Sequence, residues 1–223
     1  MAISTLTANK LYARWVKEKF AVNLNSKHIF WFQHLGVQPD FVRISWKWSK
    51  ATFADGLARN LHFKLRHKSL FTNNRVSKFV INVAPHCTLC ITNGNAVLED
   101  NLHVFMYCPR AYDFYAMITP TLSRIADIRN ISASDLILGR KIDDKFKQHC
   151  FNFVIQHTQL AIWTSRNNLE NNKPNLSVEE IFCTNVYRNL CRVKTVIKKE
   201  KFFQSFGFIT VRTASVIGFS LAL

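Results

Sequence analysis

The chain has 223 residues, of which 48% are hydrophobic and 20% charged, with 6 Gly and 5 Pro; this excludes a disordered or collagen-like polypeptide and is enough to bury a hydrophobic core. Thirty Lys and Arg oppose 14 Asp and Glu, a formal net charge of +16. That imbalance disfavours a cationic or neutral partner and suits a polyanion, because each cation set beside a phosphate releases a condensed counterion; a fragment separated from the acidic regions of a larger protein would show the same excess.

The use of 19 Phe with few helix breakers favours a helix-rich body. The first twenty residues are basic and hydroxyl-bearing, with no acid before Glu18. They have a faint presequence character, but read better as an amphipathic helix capped by Thr7, with Leu11, Trp15 and Val16 facing inward. The opening lacks the pattern of a secretory signal, and the cysteines are too sparse for a disulfide scaffold. Phe30, Trp31, Phe32, Trp46, Trp48 and Phe53 follow. Such aromatics either fill a core, their commoner use, or stack on bases.

Residues 57–80 read as a basic amphipathic helix and a short connection, with Leu57, Leu61 and Leu65 along an apolar edge. Arg59, Lys64, Arg66, Lys68, Arg75 and Lys78 are interrupted by no Asp or Glu. They form either a solvated face or a set of phosphate contacts.

The spacing Cys87-x2-Cys90-x12-His103-x4-Cys108 comes next. Thiolates two residues apart reach one ion from a single tight turn, and a His with a third Cys supplies a second arm. Zinc takes such a set tetrahedrally, and four protein ligands leave no open position for water, so the pattern predicts one structural Zn2+ rather than a hydrolytic one. Asn93-Gly94-Asn95 marks a turn between the arms, and His86 is an alternative ligand at a less usual spacing. Cys150, Cys183 and Cys191, with His149 and His157, are not paired on tight turns and read as core groups.

Beyond Pro109 the chain passes Tyr112, Phe114 and Tyr115 into a helix, and Ser132 to Asp135 opens another. The clearest helix covers 144–169: Phe146, Cys150, Phe153, Val154, His157, Leu160 and Ala161 make one face, and Phe151, Ile155 and Ile162 a second, so it is expected to be largely buried. The polar run Asn167–Asn172 with Lys173-Pro174 is read as the loop that ends it. Ser177-x2-Glu180 is a capping box for a last helix with Val178, Phe182, Val186, Leu190, Val193 and Ile197 inside and Arg188, Arg192, Lys194, Lys198, Lys199 and Lys201 outside. The apolar tail from Ser205 to Leu223 is either a tail anchor or strands and loops closing the fold. Arg212 near its middle, at about 2.5–3.5 kcal/mol on insertion scales, favours the second.

No catalytic constellation is evident: there is no Gly-rich phosphate loop and no nucleophile elbow. Asp143-Asp144 suits a helix dipole. Phe53-Ala-Asp-Gly56 is rejected as a polymerase motif because Gly stands where a second metal-binding Asp is needed.

Several of these segments together resemble a known family. The run from Leu61 to Asn73, then Cys87-x2-Cys90, then Glu99-x2-Leu102-His-Val-Phe-Met-Tyr-Cys108-Pro109, is similar to the zinc-binding region of reverse transcriptases in non-LTR (LINE-type) retrotransposons. Leu136-Ile-Leu-Gly139, Ala161-Ile-Trp-Thr-Ser-Arg166 and the early Lys10-Leu-Tyr12 resemble flanking segments of that family. The gap of twelve residues between Cys90 and His103 is longer than the family's, and Phe71 stands where it often has Pro. The resemblance implies that Cys87, Cys90, His103 and Cys108 are the ligands. It also implies a C-terminal piece of a polyprotein that helps hold RNA or DNA near a polymerase, with no reaction of its own.

The expectation is therefore a mainly α, bundle-like body with an inserted CCHC zinc knuckle. Its segments are 1–56, a linker and helical part; 57–125, the basic helix and metal module; 126–204, helical; and 205–223, the tail. The expected protein is non-catalytic and intracellular, in nucleus or cytoplasm, and holds nucleic-acid backbone through Arg59, Lys64, Arg66, Lys68, Arg75 and Lys78. A zinc-stabilised protein-interaction adaptor and a non-functional mobile-element remnant are the rival readings.

Overall fold

The computed structural model describes residues 30–174 and 176–193. The helix expected from Thr7, the end of the last basic helix from Lys194 onward and the apolar tail lie outside the described residues. The chain divides between Trp46 and Lys47 into two compact units. In the first, residues 30–35 are helical. The Phe30 ring meets Trp31 edge-on at 5.0 Å, and Trp31 is buried while Phe32 is exposed. Helix α1 (Pro39–Ser49) begins there, with Asp40 in its first turn and Lys47 in its last, as the helix dipole favours.

The second unit is mainly helical, and among the described residues its only β feature is an isolated antiparallel bridge between His86 and Leu98. In chain order come α2 (Gly56–Arg66), α3 (Asn73–Val76), α4 (Thr88–Thr92), a π-helical turn (His103–Tyr107), α5 (Pro109–Ala126), α6 (Ala133–Leu138), α7 (Lys145–Glu170) and α8 (Val178–Val193). Helix α7 is the axis on which α2, α5, α8 and the π turn pack. Its two apolar faces are buried, with Phe151, Phe153, Ile155 and Ile162 fully enclosed.

Between those faces runs a seam of amides that the apolar period did not reveal. Asn152, Gln156 and Gln159, spaced four and three apart, share one side of α7. Asn152 donates to the carbonyls of Trp48 and Ala51 at 2.7 Å each, Gln156 to that of Ser49 at 2.9 Å, and Gln159 to that of Leu136 at 2.8 Å. These carbonyls lie at or just beyond the C-terminal ends of α1 and α6, where a helix runs out of its own donors. Buried histidines join the seam: His62 Nδ1 lies 2.8 Å from Gln159 Oε1, and His157 Nε2 lies 2.9 Å from the Asn189 amide.

The helix starts follow local chemistry. Asp55, from the rejected Phe53–Gly56 motif, accepts from the Ala58 N–H at 2.9 Å and is the N-cap of α2. Ser132 with Asp135 forms a capping box on α6, Ser177 with Glu180 closes the same arrangement before α8, and Asp144 accepts from Phe146 and Lys147 at the start of α7. Helix α7 ends at Glu170, one residue past the expected 144–169, so the first part of the polar run that was read as ending it, Asn167–Glu170, is its last turn; the Asn171 side chain donates to the Asn167 carbonyl at 2.7 Å and the turn follows. Gly139 ends α6 at φ +85°, where a Cβ is strained.

Candidate metal centre

The first arm is a short loop folded back on itself. The Cys87 N–H donates to the Val97 carbonyl and the Glu99 N–H to the Pro85 carbonyl, both at 2.9 Å, on either side of the His86–Leu98 bridge. Between these ends the chain makes one turn of α4, reverses at Gly94 with φ +82°, and returns with the Asn95 N–H on the Cys90 carbonyl at 2.8 Å. The long gap before His103 is thus spent on a closed excursion that leaves the ligand positions together. Cys87 caps α4 and Cys90 lies three residues on, on the same side.

The second arm depends on the π turn. Five residues along an α-helix rotate a side chain by about 140° from its start, which would point His103 and Cys108 apart. The wider turn, closed by the Cys108 N–H on the His103 carbonyl at 2.7 Å, brings them back to one side. Asp100 accepts from the His103 N–H at 2.7 Å, and Cys108 is the N-cap of α5 with Pro109 at its first position.

All four side chains are buried, and their ligand atoms lie within 4.8 Å of one another. Around zinc, tetrahedral bond lengths place sulfurs about 3.8 Å apart and sulfur from nitrogen about 3.6 Å; Cys90 Sγ and His103 Nε2 are 3.4 Å apart. The thiols also interact strongly. The hydrogen bond with Cys108 holds Cys87 down, to about 3, while that bond and burial push Cys108 up. Burial, then the charge on Cys87, raises Cys90. Thiols this close share one negative charge, and a dication is what lets all three ionise. Arg110 favours ionisation of both Cys90 and Cys108. The donor set fits a single metal ion, and among the described residues it is the only such group. His86 is outside it, Cys150 and Cys183 are core thiols, and Cys191 is exposed.

A polar strap ties this module to α7. Glu99, fully buried, accepts from Arg166 Nη2 at 2.6 Å, from Arg166 Nε at 3.2 Å and from the Asn73 N–H at 2.7 Å. Asn73 also accepts from Arg166 Nη2 and donates to the His86 carbonyl at 3.0 Å and to Glu170 at 3.2 Å. Glu170 further accepts from the Thr88 hydroxyl at 2.6 Å, beside Cys87. Phe105, in the π turn, stacks on Trp163 of α7 with ring centroids 6.1 Å apart. Glu99 and Arg166 were singled out by resemblance only; the parts played by Asn73, Thr88 and Glu170 had no sequence signal beyond polarity near the ligands.

The six basic residues separate. Arg59, Lys64 and Lys78 are exposed and make no ion pair among the described residues, whereas Lys68 and Arg75 are half-buried. Arg75 donates to the Lys68 carbonyl at 2.8 Å and lies over the Phe71 ring. Arg66 departs from the expectation. It is 2% exposed, donates to Ser49 Oγ at 2.7 Å and the Leu138 carbonyl at 2.9 Å, and is lowered to about 9 by burial. Its position on α2 turns it toward the C-terminal ends of α1 and α6 rather than to solvent, so it is a core donor and offers no surface for phosphate. Among the described residues no helix is long and apolar enough to cross a membrane. No family model, curated protein or solved structure matches this chain.

Proposed function

We propose that Cys87, Cys90, His103 and Cys108 hold one structural Zn2+ and that the protein is a non-catalytic nucleic-acid-binding module of the reverse-transcriptase zinc-binding type. The observation that carries this reading is the convergence of four buried ligand atoms within 4.8 Å. Zinc bound there makes metal affinity part of the folding free energy and fixes the basic α2–α3 segment against α5 and α7. The phosphate contacts assigned to this surface are Arg59, Lys64 and Lys78, helped by Lys68 and Arg75 and by a net charge of +16.

Two measurements test it. Metal analysis of the purified chain is expected to give one zinc per chain, lost in Cys108→Ser; absence of zinc, or equal zinc in the variant, defeats the metal reading. RNA and DNA affinity is expected to fall steeply with salt, with a log–log slope of about −0.7 to −0.9 per phosphate contact. The adaptor reading draws on one specific observation, the exposed run Phe79, Val80 and Ile81, the last 87% exposed. It prevails if no nucleic acid binds at low salt.

A further inference from the structure

An open groove of about 560 Å³ lies between α2 and α7, bordered by Leu57, Asn60, Lys64, Phe71, Arg75 and Trp163. Its volume is that of a small-ligand pocket. Three properties mark it out from the rest of the basic surface. It is aromatic as well as basic: Phe71 is 63% exposed, and the Arg75 guanidinium lies over its ring, 5.2 Å from the centre, which sets a cation beside the exposed aromatic surface. It is single-signed: among the described residues no carboxylate lines it, and Lys64 has no ion-pair partner. It has an unengaged polar edge: the Asn60 side chain is exposed and makes no hydrogen bond among the described residues, so its amide can meet a base edge. Trp163 is held by Phe105, stacked on it, and by Arg166, whose guanidinium is 5.1 Å from its ring. The groove wall is therefore held by the same side chains that strap the metal module to α7.

We infer that this groove is a single-strand subsite, in which one unpaired base lies against Phe71 and Trp163 while the flanking phosphates meet Lys64 and Arg75. The inference rests on the nucleic-acid reading above and adds a form of ligand to it. Backbone contact alone does not distinguish duplex from single strand. A stacking platform does, because only an unpaired base presents its face. An uncharged apolar peptide would leave two rim cations unanswered, whereas a polynucleotide supplies both the flat apolar group and the anions.

The test uses the full zinc-loaded chain and labelled oligouridylate and oligothymidylate of about 15 nucleotides, within known single-strand site sizes, beside a duplex of the same length. Fluorescence anisotropy is expected to show tighter binding of single strand than of duplex. The two single strands report whether RNA or DNA is preferred. Phe71→Ala is expected to weaken single-strand binding by about 5- to 150-fold, the effect of losing one base–aromatic stack, with duplex affinity and salt slope unchanged and Phe71→Tyr restoring affinity. Phe71 is largely exposed, so both variants are expected to fold, which circular dichroism checks. Lys64→Ala is expected to reduce the salt slope by about 0.7. If single strand and duplex bind alike, or Phe71→Ala affects both equally or neither, the groove is not a base site although nucleic-acid binding stands. If nothing binds at low salt, both readings fall. If sedimentation shows a dimer that Phe71→Ala dissociates, the groove is filled by a second copy and the inference is overturned.

Discussion

The metal module, residues 81–108, and the helical body around α7 reach order by different means. In the body, large side chains such as Phe151, Phe153, Ile155 and Ile162 are fully enclosed, each worth roughly 1.5–3 kcal/mol on burial. The first arm of the module has almost no such resource: residues 91–98 are all exposed, and its local core is three thiols with Leu89 against them, whereas Leu102, Val104 and Phe105 of the second arm are buried and Phe105 stacks on Trp163 of the body. The first arm is held instead by the Cys/His cluster and by the polar strap in which Arg166, Asn73 and Glu170 meet Glu99, the His86 carbonyl and Thr88. Stability spread over many apolar contacts degrades gradually; stability concentrated in a few polar groups is lost when one of them is removed.

The largest effect is expected from the ligands. Cys108→Ser is expected to lower metal affinity beyond the roughly 10–100-fold that removing an outer hydrogen-bond partner produces, and chelation to have the same structural effect by withdrawing the ion. Either should open residues 81–108 to proteolysis and amide exchange while α7 and α8 stay protected. Equal loss of protection in both regions would show that they are one cooperative unit.

Next comes the strap. Arg166→Met leaves the buried Glu99 carboxylate without its cation, a loss of about 3–5 kcal/mol in urea unfolding. Glu99→Leu in the same chain is expected to recover part of it; additive losses would mean that the two do not act as a pair.

The body has its own weak point, in acid. Burial, aided by the nearby charge of Arg66, depresses His62 to about 3, and burial depresses His157 to about 4 with Asp55 working against it. In the unfolded chain both titrate near about 6.5, so their contribution is fully present above that pH and is lost as pH falls toward the folded values. Between pH 7 and pH 5 the loss is about 2 kcal/mol for each histidine. Metal affinity is pH-dependent as well, because ligands must be deprotonated to bind. The decisive comparison is therefore His62→Gln, which is expected to flatten the pH dependence of the urea midpoint; an unchanged slope assigns acid lability to the module.

The smallest expected effect is at Gly139. Its φ of +85° strains any side chain, so Gly139→Ala should lower stability by about 1–3 kcal/mol with zinc content unchanged.

How much of this was legible follows the same division. The convergence of Cys87, Cys90, His103 and Cys108 was readable because a shared site writes itself as spacing, and helix starts such as Ser132, Asp144 and Ser177 were readable because capping is local. The long excursion before His103 lengthened the gap without separating the two arms, since a closed loop can add residues without moving its ends. Arg66 was misread because charge in a sequence says nothing about which side of a helix is covered. The amide seam on α7 was hidden by the stronger apolar period around it. Asn73, Thr88 and Glu170 are distant in sequence from what they bind, and only the folded chain brings them to Cys87 and Glu99.

The Glu99–Arg166 contact also decides where the protein can be cut. A fragment containing all four ligands but ending within α7 before Arg166 would carry a carboxylate shaped for burial with no cation to meet it. The metal site is therefore not a cassette to be grafted or expressed by its cysteines alone. A piece that keeps every member of the strap runs at least from Asn73 through Glu170, and the stretch between Cys108 and Arg166, which looks dispensable, is what brings the cation back to Glu99.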